Sequence, residues 1–135
     1  MRARQVLRLQ GELPALNEII GASKAHWSNY ARVKRQNTYL VALQCRAQHL
    51  SPIDGPVEIS FLHYRPSRKK DPDNVAAGAQ KMILDGLVKA AILPNDTMQY
   101  VAALHHAFEV DRDNPRIDVL IEAIEANESE PTSST

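Results

Sequence analysis

A single cysteine, Cys45, stands among 135 residues. No intrachain disulfide can form, and no cysteine-based metal site can be built. Aromatic residues are also scarce: one Trp, two Phe and four Tyr. No apolar run approaches the roughly 20 residues that a membrane-spanning helix needs, so no membrane partner is expected. The opening "MRARQVLRLQ" is charged and lacks the apolar stretch of a signal peptide. A cytoplasmic protein is the expectation, with enough chain for one ordinary domain and a real core.

Net charge is lacking too, because 16 Lys/Arg meet 16 Asp/Glu. The charges are nonetheless segregated. Residues 1–70 hold 12 cations against 4 acids, and residues 71–135 hold 4 against 12. Either these are solvated faces, or a basic surface for a polyanion lies beside acids that hold cations.

Gln5 to Gln10 alternates as a strand does, and "GELPALNE" then breaks it. From Ser28 to about Leu50 there is no Gly or Pro, and apolar residues recur near helical spacing, which predicts one long helix with a weak point at Asn37–Thr38. "SPIDGP" is turn chemistry. The alternation of Val57, Ile59, Phe61 and His63 predicts a strand. Val75, Ala79, Met82, Ile83, Gly86, Leu87 and Ala90 form one apolar stripe, so residues 74–90 read as a second helix, capped by Asp73 or Asn74. Residues 99–109 and 115–124 read as two strands. The fold class is α+β in the order β-α-β-α-β-β, with helices packed on a mixed sheet. Residues 1–125 form a single domain, and the polar, acidic residues 126–135 are expected to be disordered.

Two stretches look alike: Asp71-Pro72-Asp73-Asn74 and Asp111-Arg112-Asp113-Asn114. The second joins two strand-like runs and reads as a hairpin turn. The first leaves a strand and enters a helix. Pro72 pushes Asp71 toward an extended backbone, which lets Asp71 and Asp73 share a side at a helix N-terminus. Arg65, Arg68, Lys69 and Lys70 lie just upstream, and Asp96 follows the helix. Carboxylates without His or Cys suit Mg²⁺, with Mn²⁺ as a substitute, and beside cations they suit phosphoryl chemistry. The plain alternative is an N-cap aspartate and an unrelated loop aspartate.

The run "KKDPDNVAAGAQKMILDGLVKAAILPND", with "GELPALNE" before it and "FEVDRDNPRIDVLIE" after it, resembles the RusA-type Holliday junction resolvases. The resemblance covers roughly residues 5–124. It implies a RusA-like nuclease domain and a homodimer acting on branched DNA, four-way junctions above all. By that resemblance Asp71, Asp73 and Asp96 bind a catalytic Mg²⁺, and Lys81 assists catalysis or contacts phosphate. Lys81 departs from the family spacing: it stands seven residues after Asn74 instead of three, about one helical turn further on. Its alternative role is an i,i+4 partner of Asp85, with Lys70 as the substitute cation. Lys69, Lys70, Arg68, Arg65, Asn74, Arg32, Lys34 and Arg35 are candidate DNA contacts, and Asn17 and Lys24 join them by resemblance. Two other functions remain open: a branched-DNA binding protein that does not cleave, and a metal-dependent hydrolase of a smaller phosphate ester.

His105 and His106, adjacent on a strand, are expected to face opposite ways and not to share a metal. His63, Trp27 and Tyr30 read as core packing, with stacking on bases as the alternative for the two aromatics.

Overall fold

The computed structural model describes residues 4–15 and 27–124, with only the backbone of 27–30. Strand β1 is Arg4–Gln10, helix α1 Trp27–Ala47, strand β2 Val57–Arg65, helix α2 Pro72–Lys89, strand β3 Val101–Val110 and strand β4 Arg116–Ala123. The α+β order expected from the sequence is the order observed. The four strands form one mixed sheet, β1-β4-β2-β3. β4 runs antiparallel to both β1 and β2, and β2 runs parallel to β3.

Period-two alternation gives the sheet a dry face and a wet face. Leu7 stands opposite Val119 and Phe61 opposite Val119 on its other side, so Leu7, Val119 and Phe61 line one face with Ile59 and Ile121. All five are fully buried. The opposite face is polar. There Arg8 Nε donates to Asp118 Oδ1 at 2.9 Å, and the Arg116 guanidinium lies 3.8 Å over the Tyr64 ring.

Both helices cover the dry face. α2 buries Val75, Ala79, Met82, Ile83, Gly86 and Leu87, the stripe its sequence predicts apart from Ala90, and each large apolar side chain contributes about 1.5–3 kcal/mol. The two helices touch at Gly86, where a Cβ would overlap the Val41 side chain and lie 3.2 Å from the Thr38 carbonyl oxygen. α1 runs unbroken through Asn37–Thr38, with Asn37 Nδ2 donating to the Val33 carbonyl at 2.8 Å. It buries Val41, Ala42 and Cys45 but leaves Tyr39, Leu40 and Leu43 exposed. Nothing among the described residues covers that outer side. Burial pushes the Cys45 thiol up to about 11, so it stays a protonated thiol that packs rather than reacts.

Both helices end alike. Leu50 N–H bonds the Cys45 carbonyl and His49 N–H bonds that of Arg46, while Ile92 N–H bonds Leu87 and Ala91 N–H bonds Val88. This is the paired closure that needs one left-handed residue, and His49 (φ 60) and Ala91 (φ 62) supply it where glycine is the usual choice.

One expectation is corrected. β3 and β4 do not form a hairpin, because β2 lies between them and pairs with both. Residues 111–115 therefore step across the end of β2, and Asp111 N–H bonds the Arg65 carbonyl at 2.8 Å. Local turn chemistry gives a reversal but does not say which strand fills the gap.

Candidate functional site

The end of β2 and the start of α2 hold the Asp71–Asn74 stretch. Asp71 is the N-cap residue of α2, with φ −68 and ψ 130, the extended conformation that a following proline imposes. The expected caps, Asp73 and Asn74, lie inside the first turn instead. Pro72 occupies the start of the helix, where its missing N–H costs nothing. Asp71 makes no side-chain cap bond. Asp73 Oδ1 accepts only the N–H of its neighbour Asn74, at 3.0 Å. Both carboxylates are exposed, and neither is ion-paired among the described residues. Asp71 thus occupies the cap position without spending its carboxylate on the helix.

A cleft of about 250 Å³ adjoins this turn, lined by Arg65, Ser67, Arg68, Lys70, Pro72 and Phe108 among others. Arg68, Lys69 and Lys70 are exposed at it or beside it. Arg65 differs from the exposed phosphate contact expected. It is buried, and its Nη2 donates to Glu12 Oε1 at 2.8 Å, tying the segment after β1 to the end of β2. Period-two alternation along β2 had already put Arg65 on the same face as Phe61 and His63.

The other expected residues lie elsewhere. α2 has 18 residues, so its ends are about 27 Å apart. Asp96 lies beyond the far end, in a hollow shared with Asp85, Lys89 and Asn95. Asn95 is committed to a turn, its Oδ1 accepting from Thr97 N–H at 2.9 Å and from Thr97 Oγ1 at 2.6 Å. Lys81 is paired with Asp85 at 3.6 Å, its i,i+4 neighbour, and stands about 12 Å along the helix from Asp73. Lys34 and Arg35 line a large cavity at the same far end with Asp85 and Lys89. Arg32 is on the same helix, exposed, with Nη1 3.4 Å from Gln36 Oε1. Asn17 and Lys24 lie outside the described residues.

The candidates therefore form two groups. Asp71, Asp73, Asn74, Arg68, Lys69 and Lys70 gather at the start of α2. Asp96, Lys34 and Arg35 gather at its end, and Lys81 stands midway along it. Among the described residues no three His, Cys, Asp or Glu side chains come close enough to hold a metal ion together. The first group still fits Mg²⁺ by donor chemistry, since that ion is commonly held by one or two carboxylates, with water and substrate phosphate filling its remaining positions.

Sequence reasoning missed one internal arrangement. His63 Nε2 and His106 Nδ1 share a hydrogen bond at 2.9 Å, and His106 Nε2 reaches Gln80 Oε1 at 2.9 Å. The chain links β2, β3 and α2. His63 is stacked on Phe108, and His106 on Phe61. With Gln80 Oε1 accepting, a neutral His106 accepts from His63 Nε2–H, and His63 Nδ1 keeps a buried lone pair without a partner. Burial first, then His106 and Arg65, lowers His63 to about 4. Burial also lowers His106. The alternation of β2 marked His63 as inward, but the parallel register that sets His106 beside Phe61 has no local signal. His105, as expected, faces away and meets Glu58 at 2.5 Å.

No protein-family model matches the chain, and no match was found among the curated proteins.

Proposed function

We propose that this protein is a Mg²⁺-dependent endonuclease that cuts branched DNA, four-way junctions in particular, and works as a homodimer. The observation that carries this reading is the exposed Asp71–Asp73 pair, with the Asp71 carboxylate unspent on capping, at a helix N-terminus beside a cationic cleft. The resemblance to the RusA-type resolvases supports it. Asp71 and Asp73 hold the metal, and Mn²⁺ substitutes for Mg²⁺. When bound, the ion lowers the pKa of water and neutralises charge on the phosphoryl oxygens.

The chain's own residues do the rest. Arg68, Lys69 and Lys70 hold the phosphodiester against the helix N-terminus, whose positive dipole end favours an anion. Asn74 and Pro72 fix the turn that presents both carboxylates. Arg65, clamped by Glu12, positions the floor of the cleft. Asp96 belongs to the same chemistry only across a dimer: an antiparallel pairing of two copies sets the far end of one α2 beside the start of the other. Two sites related by a two-fold axis then suit the two cuts that resolve a four-way junction.

A specific observation favours a second reading. Lys81 is taken by Asp85 and Asp96 is remote within one chain, as in a protein that binds branched DNA without cutting it. A labelled four-way junction and a matched duplex, with Mg²⁺, Mn²⁺ or EDTA, separate the two. The nuclease reading expects paired, metal-dependent cuts in the junction alone. Tight junction binding with no cut under either metal would replace it with the binding protein. In both cases affinity should fall steeply with salt, because phosphate contacts release counterions.

A further inference from the structure

A cavity of about 670 Å³ opens between the first half of α1 and the end of α2. Its walls are Ala31, Tyr39 and the side chains of Lys34, Arg35 and Lys89, with Asp85 the one carboxylate. That carboxylate is already held by Lys81. Tyr39 is 52 % exposed, too open for a core residue of its size. α1 as a whole carries Arg32, Lys34, Arg35 and Arg46 and no acidic residue.

An aromatic ring, apolar walls and a cationic rim suit a nucleobase that arrives with its phosphates. The base stacks on the ring, and the cations take the phosphates on either side. The volume falls within the roughly 300–1,000 Å³ of ordinary small-ligand sites. A second copy fits the same face badly, because antiparallel pairing of two α1 helices about Leu40 brings Lys34 of one against Arg46 of the other. Asp85 and Lys89 also line the hollow that holds Asp96, so whatever enters the cavity lies next to that carboxylate.

We infer that this cavity takes one nucleobase freed from pairing at the branch point of a DNA junction, stacked on Tyr39 and flanked by Lys34, Arg35 and Lys89. The inference deepens the nuclease reading and rests on it. Junction binding with 2-aminopurine at the branch point tests it, with Ca²⁺ replacing Mg²⁺ so that the strands stay intact. A duplex with 2-aminopurine at its centre is the control.

Wild type and Tyr39→Phe should quench the junction probe. Tyr39→Ala should lose the quenching and bind the junction about tenfold more weakly, the scale of one base–aromatic stack, with duplex affinity unchanged. Unchanged quenching in Tyr39→Ala overturns the inference, and so does an equal loss of junction and duplex affinity. Dissociation of the homodimer by Tyr39→Ala would assign the face to a second copy and overturn it as well. Wild-type protein that binds neither DNA removes the nuclease reading too, whereas failure of the cavity alone leaves wild-type junction cutting intact.

Discussion

Asp71–Asn74 and Asp111–Asn114 share three of four letters and sit at opposite sides of the same strand end. Both lie near Arg65: Pro72 lines a cleft with it, and Asp111 N–H donates to its carbonyl. In the second stretch the N–H and both carboxylate oxygens of Asp111 are used. Its Oδ1 accepts from Asn114 N–H at 3.2 Å and its Oδ2 from Arg116 at 2.9 Å. Arg116 holds its carboxyl below the usual carboxylate range. In the first stretch the Asp71 carboxylate accepts nothing and that of Asp73 accepts one neighbouring N–H. Carboxylates that close a turn find their partners inside the protein. The carboxylates of Asp71 and Asp73 are left largely without them, and the flanks differ: Pro72 and a helix in one case, Arg116 in the other.

The contrast can be broken by matched substitutions. Asp73→Asn should lower junction cleavage on the order of 10²–10³-fold, the scale of removing one transition-state electrostatic group, and leave the thermal midpoint unchanged. Asp111→Asn should do the reverse, keeping cleavage and lowering the midpoint. Cleavage rates and melting curves of the two variants check this directly, and loss of cleavage in Asp111→Asn at full stability would erase the distinction.

The strand end between the two stretches is sharpened by pH. The folded state holds His63 near 4 against an ordinary 6.5. Between those values the unfolded chain binds the proton and the folded chain does not. Stability is therefore complete above about pH 6.5 and falls as pH drops toward 4, by about 3 kcal/mol at most. Asp111 acts with the same sign in a more acidic window. Its depressed value contributes stability above the ordinary carboxylate pKa and loses it only at more acidic pH. Denaturant titrations at stepped pH should show the His63 loss first, and His63→Phe should flatten it.

The smallest effect concerns the far end of α2. Ala91→Gly relieves a left-handed alanine and should stabilise the fold by about 1 kcal/mol, without altering cleavage, as a urea midpoint would report.

Much of the fold could be read from residues alone. The α2 stripe and the alternation of β2 place the core because periodicity is local. The insertion of β2 between β3 and β4 was not legible, since pairing partners are chosen by long-range packing rather than by the Asp and Asn of the connecting turn. The exposure of Leu40 and Leu43 was not legible either: helical spacing marks an apolar stripe but not how much of it finds a neighbour. At the site, the extended Asp71 followed from Pro72. The i,i+4 pairing of Lys81 with Asp85 followed from spacing. The separation of Asp96 from Asp71 was implicit in the length of α2, a distance that resemblance of letters does not carry.

That separation makes the central claim testable in one mixture. Asp73→Asn and Asp96→Asn protein are each inactive if one site draws on two copies. When they exchange subunits, each mixed dimer has one site with both changes and one with neither. Metal-dependent nicking of a four-way junction should then return, at about a quarter of the wild-type number of sites after random exchange, as single nicks rather than paired cuts. No recovery from two folded, exchanging variants would contradict the account, as would full activity of Asp96→Asn by itself.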